Sequence, residues 1–134
     1  MPVTPYMFFE GRCEEAAEFY RSALGAEVTM LMRFKESPDP HQIPPDGQDK
    51  VMHMVLRIGD TVVMASDGMC RGQTSFQGFA LSLTVPDDAT AQRQFAALAE
   101  GGTIHMKLDK TFFASSFGML VDRFGISWMV TTGG

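Results

Sequence analysis

Few side chains in this sequence could carry chemistry, so each can be weighed in turn. His53 is the sharpest candidate. It stands in the run VMHMVLR, alternating with Val51, Val55 and Arg57 and opposed to Met52, Met54, Leu56 and Ile58. An imidazole titrates near neutrality and can serve as acid, base or hydrogen-bond donor in a cavity. It can equally fill a core or a dimer seam as a hydrogen-bonded structural group, and both readings stand at this point. Arg33, on the polar side of its segment, has a planar fork suited to an anionic substrate. Pairing with Glu27 or another carboxylate is the plainer use. His105 shares a polar face with Thr103 and Lys107, as a solvated residue does, and His41 lies in a loop that could fold over a ligand. Cys13 opens a helix, where the positive dipole end lowers a thiol pKa. Its helical face is the apolar one, however, which fits a buried, inert thiol better than a nucleophile. Cys13 and Cys70 match no zinc-ligand or CxxC spacing.

The elements that hold these residues follow from periodicity. Residues 3–9 read as a strand broken by Glu10-Gly11-Arg12. Residues 13–24 form an amphipathic helix, with Cys13, Ala16, Ala17, Tyr20, Ala23 and Leu24 on one face and Glu14, Glu15, Glu18 and Arg21 on the other. Gly25 suits the left-handed position that ends it. Residues 26–35 alternate, which predicts a half-buried strand with Val28, Met30, Met32 and Phe34 inward. The Pro- and Asp-rich stretch 36–49 is a loop. Strands follow at 51–57 and 61–66, joined by a tight turn at Gly59-Asp60, and residues 67–76 read as a linker.

The pattern then restarts. A strand over 78–85 leads through Pro86-Asp87-Asp88, with an aspartate as N-cap, into a helix over 89–100 that turns Ala91, Phe95, Leu98 and Ala99 inward. Gly101-Gly102 ends it. Residues 103–108 set Ile104, Met106 and Leu108 against Thr103, His105 and Lys107. The chain closes on FGMLVDRFGISWMV (117–130), two apolar runs about an Asp122-Arg123-Phe124-Gly125 turn, with the only tryptophan, Trp128. A hairpin this apolar needs neighbouring strands and a helix across one face. Gly25 and Gly101 stand 76 positions apart, the mark of two repeated modules side by side. We therefore expect one α+β domain of two tandem βαβββ modules, residues 1–67 and 77–134, joined by linker 68–76.

The totals narrow the function. The chain has 134 residues, 45% of them hydrophobic, and a net charge of -5, which argues against a nucleic-acid surface. No apolar run is long enough to cross a bilayer, and MPVTPYMFF lacks the basic segment of a secretory signal. A reduced, cytoplasmic protein is expected. The eleven methionines suit irregular cores and adaptable pockets.

The segments FFEGRCEEAAEFY (8–20), MHMVLRIGDTVVMASD (52–67), FALSLTV (79–85), FAALAEGG (95–102) and FGMLVDRFGISWMV, in this order, resemble the vicinal oxygen chelate superfamily. That superfamily holds glyoxalase I, extradiol dioxygenases and the fosfomycin- and bleomycin-resistance proteins. Within it the chain is most similar to the PhnB-like subgroup labelled 3-demethylubiquinone-9 3-methyltransferase. The resemblance implies curved sheets around a cavity, with metal ligands from the first and last strand of each module. Those positions fall near Pro5, Met64, Ala80 and Met129, where no His, Glu or Asp lies within a strand. A thioether is a poor ligand for a hard divalent metal, so no metal or other cofactor is expected. No glycine-rich strand-to-helix turn with a following acidic residue, the usual nucleotide-binding device, accompanies the methyltransferase label. By alternation from the aligned positions, Met7, Phe9, Met64, Ser66, Ser82, Ser127, Met129 and Thr131 line the cavity, joined by His53 and Arg33, while Trp128 points into the helix-covered core. The functional expectation is a binding protein for a small organic molecule. The alternatives are a metal-dependent lyase or dioxygenase with a displaced site, and an interaction protein whose cavity is filled. Apolar edge strands, with the habit of the superfamily, suggest a homodimer.

Overall fold

The structure is a computed structural model that describes residues 2–37, 46–70 and 72–133. The chain divides into two compact units, Met1–Thr74 and Ser75–Gly134, with the division inside the expected linker. Each unit is a four-stranded mixed sheet with one helix, so the fold is α+β with two βαβββ modules.

In the first unit β1 (Tyr6–Phe8) leads into α1 (Cys13–Leu24), followed by β2 (Glu27–Arg33), β3 (Val51–Ile58) and β4 (Thr61–Ser66), with sheet order β1-β4-β3-β2. β1 runs parallel to β4, and the other neighbours are antiparallel. The helix forms where its apolar spacing predicts. It buries Cys13, Ala16, Ala17 and Tyr20, and the Cys13 sulfur lies 4.0 Å from that of Met54 on β3. Gly25 ends it at φ 70°, where its N–H and that of Ala26 close on the Arg21 and Tyr20 carbonyls.

The start of α1 carries no side-chain cap of its own. The cap comes from Asp67, just past β4. This carboxylate is 1% exposed. Its Oδ1 accepts the N–H groups of Gly11 (3.1 Å) and Cys13 (2.7 Å), and its Oδ2 accepts that of Val51 (2.7 Å) at the start of β3. Without it the N–H groups of Cys13 and Val51 would be buried with no partner, and that of Gly11 part-buried.

The second unit repeats the plan. β5 (Leu81–Val85), α2 (Asp88–Ala99), β6 (Thr103–Asp109), β7 (Phe117–Val121) and β8 (Ser127–Thr132) give the order β5-β8-β7-β6, with β5 parallel to β8. Asp87 is the N-cap, accepting the Thr90 N–H at 2.7 Å. At the β7–β8 turn, Asp122 is buried and accepts the N–H groups of Phe124 and Ile126 and the Trp128 indole N–H (2.8 Å). Trp128 is accordingly in the core, as expected. Gly118 is required by close approach: a Cβ there would meet the Phe95 ring at 2.7 Å and the Leu108 Cα at 3.0 Å.

The expected alternation of two strands is not observed. In β2 a register shift between Val28 and Met30 sets Val28 opposite Leu56 and Met30 opposite Val55, residues on opposite faces of the sheet. In β6 the same shift sets Ile104 opposite Leu120 and Met106 opposite Met119. An extra residue in one strand reverses the facing of all that follows. Val28, Met30, Ile104 and Met106 are all exposed rather than inward.

The Asp67 network predicts a measurable ranking. Asp67→Ala leaves two buried N–H groups and one part-buried N–H group without acceptors and lowers unfolding free energy by about 3–5 kcal/mol. Asp87→Ala, which removes one exposed cap bond, lowers it by about 1 kcal/mol. Urea titration of both variants reads the difference, and an equal effect would contradict this account.

Candidate functional site

A polar pair stands on the first sheet, on the face turned away from α1. Directly opposed residues of neighbouring strands share a face. Tyr6 is opposite Met64, Met64 opposite Val55, and Val55 opposite Met30, which makes one row across all four strands. His53 is opposite Met32 in the adjoining row. The Tyr6 hydroxyl and His53 Nδ1 are 2.8 Å apart, and their rings stack at 5.5 Å with 26° between planes. The Phe8 ring follows at 5.0 Å from Tyr6. Residues 47 positions apart in sequence are brought together here by the parallel β1–β4 pairing and the antiparallel β3–β4 hairpin.

The phenol of Tyr6 has its pKa raised, first by burial and then by electrostatic interaction with Cys13, with the Ser66 hydroxyl lowering it in part. A phenol O–H is a stronger donor than an imidazole N–H, which assigns the hydroxyl as donor to Nδ1 and, in that tautomer, the ring proton to Nε2.

Two residues expected in the cavity are elsewhere. Met7 is opposite Ala65, and with Met54 these face the helix; Met7 is buried. Phe9 is buried against the Tyr20 ring of α1, 6.4 Å between centroids. The carried-over register was one residue off in β1, and with a period of two that exchanges Met7 and Phe9 for Tyr6 and Phe8. Met64 and Ser66 are on the expected face, Ser66 buried and engaged with the Val51 carbonyl and the Gly68 N–H. Arg33 is held in an ion pair with Glu14 (2.5 Å) and donates to the Asp49 carbonyl (2.7 Å), so it fastens α1 to the strand end. His105 is exposed on β6, and His41 lies outside the described residues. In the second unit Ser82, Met129 and Met119 form the corresponding row, with Ser127 opposite Val121 and Thr131 opposite Thr84 and Phe117.

The residues that the sequence reading missed are Tyr6 and Phe8. The signal available was parity: a parallel neighbour in register with Met64 and Ser66 presents its even-numbered residues.

The chain matches the family model for 3-demethylubiquinone-9 3-methyltransferase over residues 1–131. It belongs to that family. Protein YjdN of Escherichia coli K12 is 36% identical over 138 residues, covering 97% of this chain and 94% of YjdN. The crystal structure of protein PA1353 from Pseudomonas aeruginosa superposes with a TM-score of 0.86 at 40% identity, covering 99% and 98% of the two chains. The PhnB protein of Bacillus cereus gives 0.82 at 27% identity, with 99% and 100% covered. The fold extends to a glyoxalase-related enzyme of Fulvimarina pelagi (TM-score 0.61, 14% identity) and to the fosfomycin resistance protein FosX of Mesorhizobium loti (0.68, 12%). This PhnB-type chain therefore has the vicinal oxygen chelate fold.

The metal of that fold does not fit the side chains found here. The strands that would supply ligands place Tyr6 beside Met64 on one sheet and Ser82 beside Met129 on the other. Each sheet offers a hydroxyl and a thioether, neither suited to a hard divalent cation. Among the described residues, no group of three His, Cys, Asp or Glu side chains is placed to hold a metal.

Cys13 is not a nucleophile in this PhnB-type protein. Burial and the nearby Asp67 and Glu14 charges push its thiol well above the ordinary range, and it is wholly buried. Native alkylation followed by mass mapping should label Cys70 and spare Cys13 until the chain unfolds. Labelling of Cys13 at the rate of Cys70 would overturn this assignment.

Proposed function

We propose that this PhnB-type protein binds a small, largely apolar organic molecule without a metal, on the sheet face that carries Tyr6 and His53. The observation that carries the reading is the Tyr6–His53 hydrogen bond, one directional group held on a wall of methionine, valine and phenylalanine. Such walls with few polar groups are what small-molecule sites are made of, and the polar groups set orientation. The donor set speaks against a lyase or dioxygenase of the metal-dependent kind. Exposure of Tyr6 (40%) and Phe8 (52%) speaks against a filled, purely structural face. Methyl transfer, which the family description names, has no nucleotide-binding turn to support it in this sequence.

A thermal-shift screen of small metabolites, followed by His53→Ala, tests the reading. Compounds that raise the melting temperature of the wild type should lose their effect in the variant, whose own melting temperature stays unchanged. A lowered melting temperature with retained affinity would make His53 structural and defeat the proposal. So would stoichiometric zinc, nickel, manganese or iron in purified protein.

The same reading includes a homodimer in the cytoplasm. No helix among the described residues is long and apolar enough to cross a membrane. Val28 and Met30 on β2, Ile104 and Met106 on β6, and the loop residues Phe112 and Phe113 are all exposed, and apolar groups on sheet edges favour a partner chain. Sedimentation at micromolar concentration should give the dimer mass, and a monomer would remove this part of the proposal.

A further inference from the structure

The rings on the first sheet also indicate what kind of molecule they receive. We propose that the ligand is a planar, uncharged aromatic or heteroaromatic compound with a hydrogen-bond acceptor on its edge. This deepens the binding reading above and rests on it.

Phe8, Tyr6 and His53 form a continuous ledge, with successive centroids 5.0 and 5.5 Å apart and interplanar angles of 34° and 26°. Three rings in succession on one sheet face offer face and edge contacts to a flat π system. Met64 lies beside Tyr6 and Met32 beside His53. Thioethers are polarisable and adapt to ring faces and edges. The ledge is fixed in advance, because the Tyr6–His53 hydrogen bond ties two of its rings together. Fixing rings before binding lowers the ordering cost of association.

Charge and hydrogen bonding complete the class. Tyr6, Phe8, Met30, Met32, Val55 and Met64 carry no charge, and Arg57, farther along β3, is paired with Glu27 at 2.5 Å. An ionic ligand would gain no counter-charge from these side chains. His53 has Nδ1 engaged by Tyr6, and no described residue takes its Nε2. With Tyr6 as donor, Nε2 bears the proton, so the group offered to the ligand is an N–H. Its complement is a ring nitrogen or a carbonyl at the rim of the planar system.

The test uses the full chain with methionine methyl groups labelled for NMR, at mildly alkaline pH. Isoquinoline is planar with an acceptor, indole is planar with an N–H donor in its place, and cyclohexanone has an acceptor without a π system. Isoquinoline should shift the Met64 and Met32 methyl signals with a Kd roughly tenfold below that of cyclohexanone, and also below that of indole. Phe8→Leu, an exposed change that leaves the core intact, should raise the isoquinoline Kd several-fold and leave that of cyclohexanone unaltered. Tyr6→Phe should erase the preference for isoquinoline over indole. Cyclohexanone binding as tightly as isoquinoline, or indifference to Phe8→Leu, would overturn the aromatic class while leaving the binding face in place. No shift with any of the three would overturn both proposals. Shifts of these methyl signals with protein concentration alone would give the ledge to a second copy of the chain, and this inference would fall.

Discussion

A carboxylate deprived of water has to find its hydrogen bonds within the protein, and in the first unit that need sets the local geometry. Asp67 draws together the turn after β1, the first residue of α1 and the first residue of β3. The neighbouring backbone reinforces it: the Phe9 N–H bonds to the Ser66 carbonyl at 2.8 Å, and the Asp67 N–H to that of Val51 at 2.8 Å. The end of β4 is thereby a knot from which β1, α1 and β3 leave in fixed directions. Asp122 has a comparable part in the second unit, where it closes a hairpin and holds the indole of Trp128. A buried charge with this many donors is costly to disturb, since the loss of either side leaves the other unpaired.

The site inherits its accuracy from that knot. Tyr6 meets His53 only because β1 lies in one register on β4, with Tyr6 opposite Met64 and Phe8 opposite Ser66. A strand of three residues has few ladder bonds with which to hold that register by itself. The bonds of Phe9, Gly11 and Cys13 just beyond it supply the restraint. The sheet face thus displays an ordered pair of polar groups on a short strand whose position is decided on the opposite, helix-covered side.

Much of this was legible in the sequence. The helix of Cys13–Leu24 falls on its predicted bounds because the apolar spacing, Glu14 and Glu15 in the first turn and Gly25 after the last all agree. Asp87 was readable as a cap, and alternation put Ser82 and Met129 on one face, where they are paired. The failures share one physical origin. Facing in a strand depends on a count of two, so an offset of one residue in β1 exchanged Tyr6 and Phe8 for Met7 and Phe9. Register shifts within β2 and within β6 did the same along each of those strands. Bulges are chosen by the partner strand and leave little mark on local composition. Asp67 gave no warning either, since an aspartate before a glycine reads as an ordinary turn residue until its three donors, two of them more than fifty positions away, come into view.

The bulges also bear on how the chain behaves when crowded. Val28 and Met30, like Ile104 and Met106, stand two residues apart on strands at the margin of a sheet. A regular strand would line them up as a greasy stripe beside unsatisfied backbone, the template on which amyloid grows. With the bulge, the two side chains of each pair leave on different faces and the margin kinks. A border of that shape is a poor template for a stack of identical flat strands.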